Sequence, residues 1–257
     1  AYGIAVTSTM VITTVLAFIV ERKLWGWSLL AAGLLTAVFL VMDLAFFLAN
    51  ATKIRDGGWL PLAVATAIFV VLTTWRRGRD LLSERLAKTS LPVDALVADA
   101  GRRHVTRVPG TAVFLHSDSR STPIALLHNI KHNRVLHEKN IFFTVQTEEY
   151  PHVGREQRVK IEDLGHGFWR VIARYGFMED PHVPRALRQA AELGLEIDPM
   201  QATYFLSRNT LLPSKKPGMA LWRERLFAAM ARNASSVTDF FNIPTNRVIE
   251  LGTRIEI

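Results

Sequence analysis

Three stretches near the start of the chain, Tyr2–Val20, Ser28–Ala49 and Gly57–Trp75, are almost wholly apolar, with Asp43 their one ionisable side chain other than Tyr2. At a rise of about 1.5 Å per helical residue, each is long enough to cross a hydrocarbon core of about 30 Å. A chain with three such segments in succession is expected to be a multi-pass membrane protein. After Trp75 the pattern changes abruptly. Arg76, Arg77 and Arg79 close the third stretch, and the remainder alternates charged faces, turns, and helix-like and strand-like segments. The expected organisation is three transmembrane helices over residues 1–75, a basic juxtamembrane connection over 76–100 and a cytosolic α/β domain over 101–257.

Charge follows the same division. The chain holds 31 Lys and Arg, 23 Asp and Glu and eight His, a net charge of +8. Only four of the basic residues (Arg22, Lys23, Lys53, Arg55) and three of the acids (Glu21, Asp43, Asp56) precede Arg76, and every histidine follows it. A basic tail beside a membrane follows from the enrichment of Lys and Arg on the cytoplasmic side and their attraction to anionic headgroups, so nucleic acid is not an expected partner. The loops between the stretches do not discriminate between orientations. The cluster Arg76, Arg77, Arg79, Arg85 and Lys88 decides it, placing Ala1 outside and Ile257 in the cytoplasm, with Trp25, Trp27, Trp59 and Trp75 at headgroup depth.

The chain has no cysteine, which rules out a disulfide framework and cysteine-ligated metal. It carries no phosphate-cradling loop, no Gly-flanked nucleophilic Ser and no His-Glu-x-x-His motif, so no enzyme activity and no cofactor are expected. His128 and His132 lie four apart with His137 close by, but Lys131 and Arg134 surround them and no clustered carboxylate completes a metal site. Asp43 costs about 2.5–3.5 kcal/mol at mid-membrane and must face protein or water. It reads either as an ion or proton relay or as an acid held by hydroxyls of a neighbouring helix. Thr7, Ser8, Thr9, Thr13 and Thr14 of the first stretch supply such hydroxyls, for helix packing first and ion ligation second.

In the tail, Gly110–His116 and Asn140–Thr147 read as strands flanking a helical Pro123–Asn133, a crossover unit. Arg158–Asp163 and Phe168–Arg174 form a hairpin about Gly165-His166-Gly167; Pro184–Leu193 and Ala220–Ala231 are helices, and Ala202–Leu211 and Arg247–Ile255 are strands.

Several longer segments carry a resemblance. Ala1-Tyr-Gly-Ile-Ala-Val-Thr7, Asp43-Leu-Ala-Phe-Phe-Leu-Ala-Asn50, Lys53-Ile-Arg-Asp-Gly-Gly-Trp59, Val108-Pro-Gly-Thr-Ala-Val-Phe114 and His128-Asn-Ile-Lys-His-Asn-Arg-Val-Leu-His-Glu138 resemble successive landmarks of the KUP/HAK/KT potassium uptake family. So do Arg174-Tyr-Gly-Phe-Met-Glu179, Tyr204-Phe-Leu-Ser-Arg208, Phe240-Phe-Asn-Ile-Pro-Thr245 and Val248-Ile-Glu-Leu-Gly252, in family order over nearly the whole chain. The resemblance implies a twelve-helix LeuT-like transporter of the plasma (inner) membrane, of which these residues supply helices ten to twelve and the cytosolic domain. It implies potassium uptake with proton symport, the main ion site on helices preceding Ala1, and a tail that dimerises. Tyr2 and Thr7 become candidates to offer oxygen to the ion. Two other classes are open: a membrane-anchored domain sensing a cytosolic ligand, and a membrane-tethered enzyme.

Overall fold

The computed structural model describes residues 2–89, 91–102, 105–212, 218–234 and 237–256; Ala1 and Ile257, the termini of the expected topology, lie outside them. Two compact units divide at Arg76/Arg77. The first contains helices α1 (Tyr2–Lys23) and α2 (Leu29–Ala51), a single turn Thr52–Ile54, and the start of α3 (Trp59–Thr89). All three helices are long and apolar enough to cross a membrane. Gly26 takes a φ of 69° in the α1–α2 turn, and the Ser28 hydroxyl then caps α2 by accepting from the Ala31 amide at 3.2 Å. Near the start of α1, Gly3 lets α2 approach closely: a Cβ there would lie 2.4 Å from Asn50 Oδ1. Much apolar surface remains outward-facing, as at Leu30, Leu34 and Val41, which suits a lipid or helix environment rather than water.

α3 does not stop at the arginines but continues to Thr89, and α4 (Val93–Arg102) follows, so the stretch 76–100 is largely helical. Beyond it come β1 (Thr106–Leu115), α5 (Ile124–His128) with a wider turn Asn129–Asn133, β2 (Val135–Glu148), α6 (Arg155–Arg158), β3 (Val159–Gly165) and β4 (Phe168–Gly176). Next are α7 (Val183–Glu192), β5 (Thr203–Leu212), α8 (Leu221–Arg232), α9 (Val237–Phe240) and β6 (Val248–Glu256). The strands form one sheet in the order β3-β4-β2-β1-β5-β6, parallel except for β3 against β4. The expected crossover β1–α5–β2 and the hairpin at Gly165–Gly167 are both present.

Helices cover both faces, and period-two alternation sorts the side chains. Val113, Ile141, Phe143, Val171, Tyr204 and Leu206 point into the core beneath α7. Ala112, Phe114, Phe142 and Phe205 point the other way, onto Val93, Leu96 and Val97 of α4 and Ala125 and Leu126 of α5. This buried, two-sided packing explains why the strand centres are continuous apolar runs.

Two strands begin earlier than their apolar runs. β1 reaches back through Pro109, which cannot donate to the ladder; the register against β2 shifts between Val108 and Thr111, and Gly110 adopts a φ of 106° there. The Arg107 guanidinium fastens this end, donating to His137 O (3.1 Å), Glu138 O (3.2 Å) and His166 O (2.7 Å). β2 starts immediately after Arg134, whose φ of 57° ends the preceding turn.

At the far end of β4, Glu179 accepts from the amides of Gly176 (2.8 Å) and Val153 (3.0 Å) and pairs with Arg158. Burial pushes its carboxyl up, but the two amides and the guanidinium together outweigh that and hold it below the usual carboxylate range. A carboxyl depressed on folding stabilises above its unfolded pKa and loses that stabilisation as pH falls through the folded one. Hydrogen exchange at the Val153 and Gly176 amides should therefore accelerate below about pH 4 in the native chain relative to neutral pH. In Glu179→Gln it should be faster at neutral pH, with a smaller acid response once intrinsic exchange rates are divided out.

Candidate functional site

Polar contacts between α1 and α2 sit where an apolar helix pair has few reasons to hold them. The Thr14 hydroxyl, near the middle of α1, donates to Asp43 Oδ2 at 2.5 Å, and Asp43 is only 6% exposed. Toward the other end the Thr36 hydroxyl lies 3.4 Å from Glu21 Oε2, and Glu21 is equally buried. Arg22 Nη1, beside it, donates to Trp27 O at 2.5 Å and braces the loop. Asp43 thus meets a hydroxyl of the neighbouring helix.

That carboxylate also lines a cavity of about 490 Å³ with Thr9, Thr13, Thr14 and the apolar Ala5, Val6, Met10 and Phe39. One acid and three hydroxyl-bearing side chains in an apolar wall can exchange a proton or give oxygens to a monovalent cation. Thr9 donates its hydroxyl proton to Ala5 O at 2.9 Å, which leaves its oxygen lone pairs as acceptors.

Of Tyr2, Thr7 and Asp43 only Asp43 lines this cavity, together with three of the five candidate hydroxyls, Thr9, Thr13 and Thr14. Thr7 is buried two turns before Thr14 on nearly the same face of α1, its hydroxyl donating to Gly3 O at 2.9 Å; Tyr2, at the helix start, is 84% exposed. Glu21 carries no local signature of burial, because Arg22 and Lys23 beside it make it look like a charged flank. Thr14 was one of five candidate hydroxyls, and only the register of α1 on α2 singles it out.

His128, His132 and His137 do not converge. His128 and His132 stack with centroids 5.6 Å apart, whereas His137 turns its ring edge-on to Phe205 at 5.8 Å and burial lowers its pKa. No group of three metal-ligating side chains occurs among the described residues. The sheet has a switch point: the connection leaving β1 runs toward β2, and that leaving β5 runs toward β6 on the opposite side. Crevices at such carboxyl ends are where open α/β sheets bind ligands. There His116 Nε2 lies 2.7 Å from Ser121 Oγ, and the Asp118 carboxylate accepts from the Arg120 amide at 3.0 Å. Burial pushes His116 down, against the pull of Asp118.

Comparison with known proteins places both units. Residues 1–80 match the K+ potassium transporter integral membrane domain, and residues 109–257 match the K+ potassium transporter C-terminal domain. The chain is 51% identical along its whole length to a probable potassium transport system protein Kup of Myxococcus xanthus, covering 39% of that protein. It is likewise 51% identical to a Kup 2 of Rhizorhabdus wittichii, covering 40% of it, and 49% identical to a Kup 2 of Chromobacterium violaceum, covering 41%. The chain thus spans about two fifths of the length of the curated relatives it matches. No solved structure matches it. With three membrane-length helices, an α/β tail and matches to both domains of one family, the chain belongs to the Kup family of K+ potassium transporters.

Proposed function

We propose that the chain is part of a secondary transporter that takes potassium into the cell with protons as the coupling ion. In this reading it lies in the plasma membrane and its α/β tail faces the cytoplasm. The observation that carries the reading is the unbroken likeness, over all 257 residues, to proteins named for potassium transport. The Asp43 cavity supports it physically, since a buried acid with hydroxyls around it is a place where a proton or a cation that has shed water can rest. Exposed Arg76, Arg77 and Arg79 after the last apolar stretch support a cytoplasmic tail.

In this account helices elsewhere in the transporter supply most of the ion's oxygen ligands. Tyr2 borders the path with its phenol oxygen and Thr7 with its remaining lone pairs. Asp43 carries the proton or tunes the field felt by the ion. The α/β tail, as a homodimer, biases the transporter between states if its contacts differ in each. Growth of cells lacking their own potassium uptake, at low external potassium, tests this. The full reading frame containing this chain should restore growth, and residues 1–257 alone at matched membrane expression should not, because three helices cannot offer a complete ligand set and alternating access.

A second reading, a membrane-anchored domain sensing a cytosolic ligand, draws on the polar His116–Ser121 pair at the sheet's switch point. It predicts ligand binding by the tail with no growth phenotype in the same cells.

A further inference from the structure

α3 is one unbroken helix from Trp59 to Thr89, so Gly78 follows Trp75, the last residue of the apolar stretch, by about 4.5 Å of helix axis. Within the second unit, α8 is seated on this segment. A Cβ on Gly78 would lie 2.4 Å from the Phe227 ring, and one on Gly218 would lie 2.7 Å from Leu81 Cδ1. α8 is therefore fixed to the first turns of α3 beyond the apolar stretch.

The two sides of α8 differ. Glu224, Phe227 and Ala228 are buried, while Leu221 (52%) and Trp222 (56%) are exposed, as are Arg225 and Arg232. At about 100° per residue the four exposed residues share one arc of roughly 100°. Large apolar side chains flanked by arginines form the pattern of a helix lying in a bilayer interface, where tryptophan is enriched. Arg77 and Arg79 of α3, also exposed, flank Gly78 and add positive charge beside it.

We propose that the Leu221–Trp222–Arg225 face of α8 lies in the headgroup layer of the membrane that α3 crosses, with anionic lipid as its partner. Leu221 and Trp222 enter the interface, and Arg225 and Arg232 meet the phosphates. A lipid contact at this point makes the α/β tail responsive to the composition of the membrane, next to the segment of α3 that follows the apolar stretch.

The chain has no cysteine, so a nitroxide can be placed at single positions of residues 1–257. The variants are Leu221→Cys and Trp222→Cys, each retaining the other's side chain, with Met200→Cys, 62% exposed in the turn before β5, as the aqueous reference. The labelled chain is reconstituted in bilayers of phosphatidylcholine with or without phosphatidylglycerol, and collisions with oxygen are compared with those of a water-soluble nickel chelate. With phosphatidylglycerol, labels at 221 and 222 should favour oxygen several-fold more than the label at 200. Removing the anionic lipid should weaken this, and Arg225→Gln should weaken it by about fivefold in interface partitioning. Labels at 221 and 222 as water-accessible as at 200 would overturn the proposal. Shielding from both reagents equally in detergent and bilayer would overturn it in favour of a protein partner, and insensitivity to phosphatidylglycerol would remove anionic lipid as the partner.

Discussion

Gly176→Ala should unfold the end of the sheet. A Cβ at this position would lie 2.0 Å from Pro151 O, 2.2 Å from Pro151 C and 2.5 Å from His152 N, all backbone atoms that no rotamer change can move aside. Nor can the 150–154 segment drift away cheaply. Tyr150 O accepts from the Phe177 amide at 3.1 Å, Pro151 O accepts from Met178 at 3.2 Å, and Glu179 holds Val153. Relief of the clash breaks this set, at a cost of about 3 kcal/mol or more. Gly154→Ala is the control, because Gly154 has a φ of −60° and open space around its Cβ position; it should be neutral to within about 0.5 kcal/mol. Hydrogen exchange of β4 and of the 150–154 amides in the purified chain reads both. Equal protection in the two variants would show that the close approach is not real.

The second large effect belongs to the Thr14–Asp43 contact. Thr14→Val keeps the shape of the side chain but removes the donor at 2.5 Å from a carboxyl group that is 6% exposed, a loss of about 1–2 kcal/mol. Asp43→Leu removes the acid and its desolvation together and should be better tolerated. The combination should cost less than the sum of the two, with a coupling of about 1 kcal/mol, as measured for interhelical hydrogen bonds in membranes. Thermal unfolding of the purified chain in detergent supplies the four numbers. Strict additivity would mean that the contact contributes nothing.

Much of this architecture is legible in the residues because single physical patterns dominate it. Uniform apolarity marks α1 and α2, the run Ile141–Val145 marks the middle of β2, and Gly194 after Leu193 marks the end of α7. Where two roles meet in one segment the pattern fails. His137 and Lys139 belong to β2, but one packs on Phe205 and the other pairs with Glu196 at 2.7 Å, so their polarity hides the first turns of the strand. The sheet order is equally hidden, because the return from β4 to β5 on the far side of β1 is a non-local choice made by core packing. α3 shows a different limit: its charge changes sharply at Arg76 while its backbone does not.

The candidate site divides the same way. Asp43 stands out as a lone acid in an apolar stretch, whereas its partner depends on the depth at which α1 meets α2, set in part by the Gly3–Asn50 approach. The Glu179 clamp combines residues from three separate segments and has no local signature.

The most direct measurement of the central claim is rubidium-86 uptake, as a potassium tracer, into proteoliposomes. They should contain either the full reading frame that includes this chain or residues 1–257 alone, with an inward proton gradient imposed and then collapsed. The account predicts uptake with the full protein that unlabelled potassium competes away and that slows when the gradient is collapsed, and none with residues 1–257. Absence of uptake by full protein that is folded and inserted, or uptake by residues 1–257 alone, would contradict it.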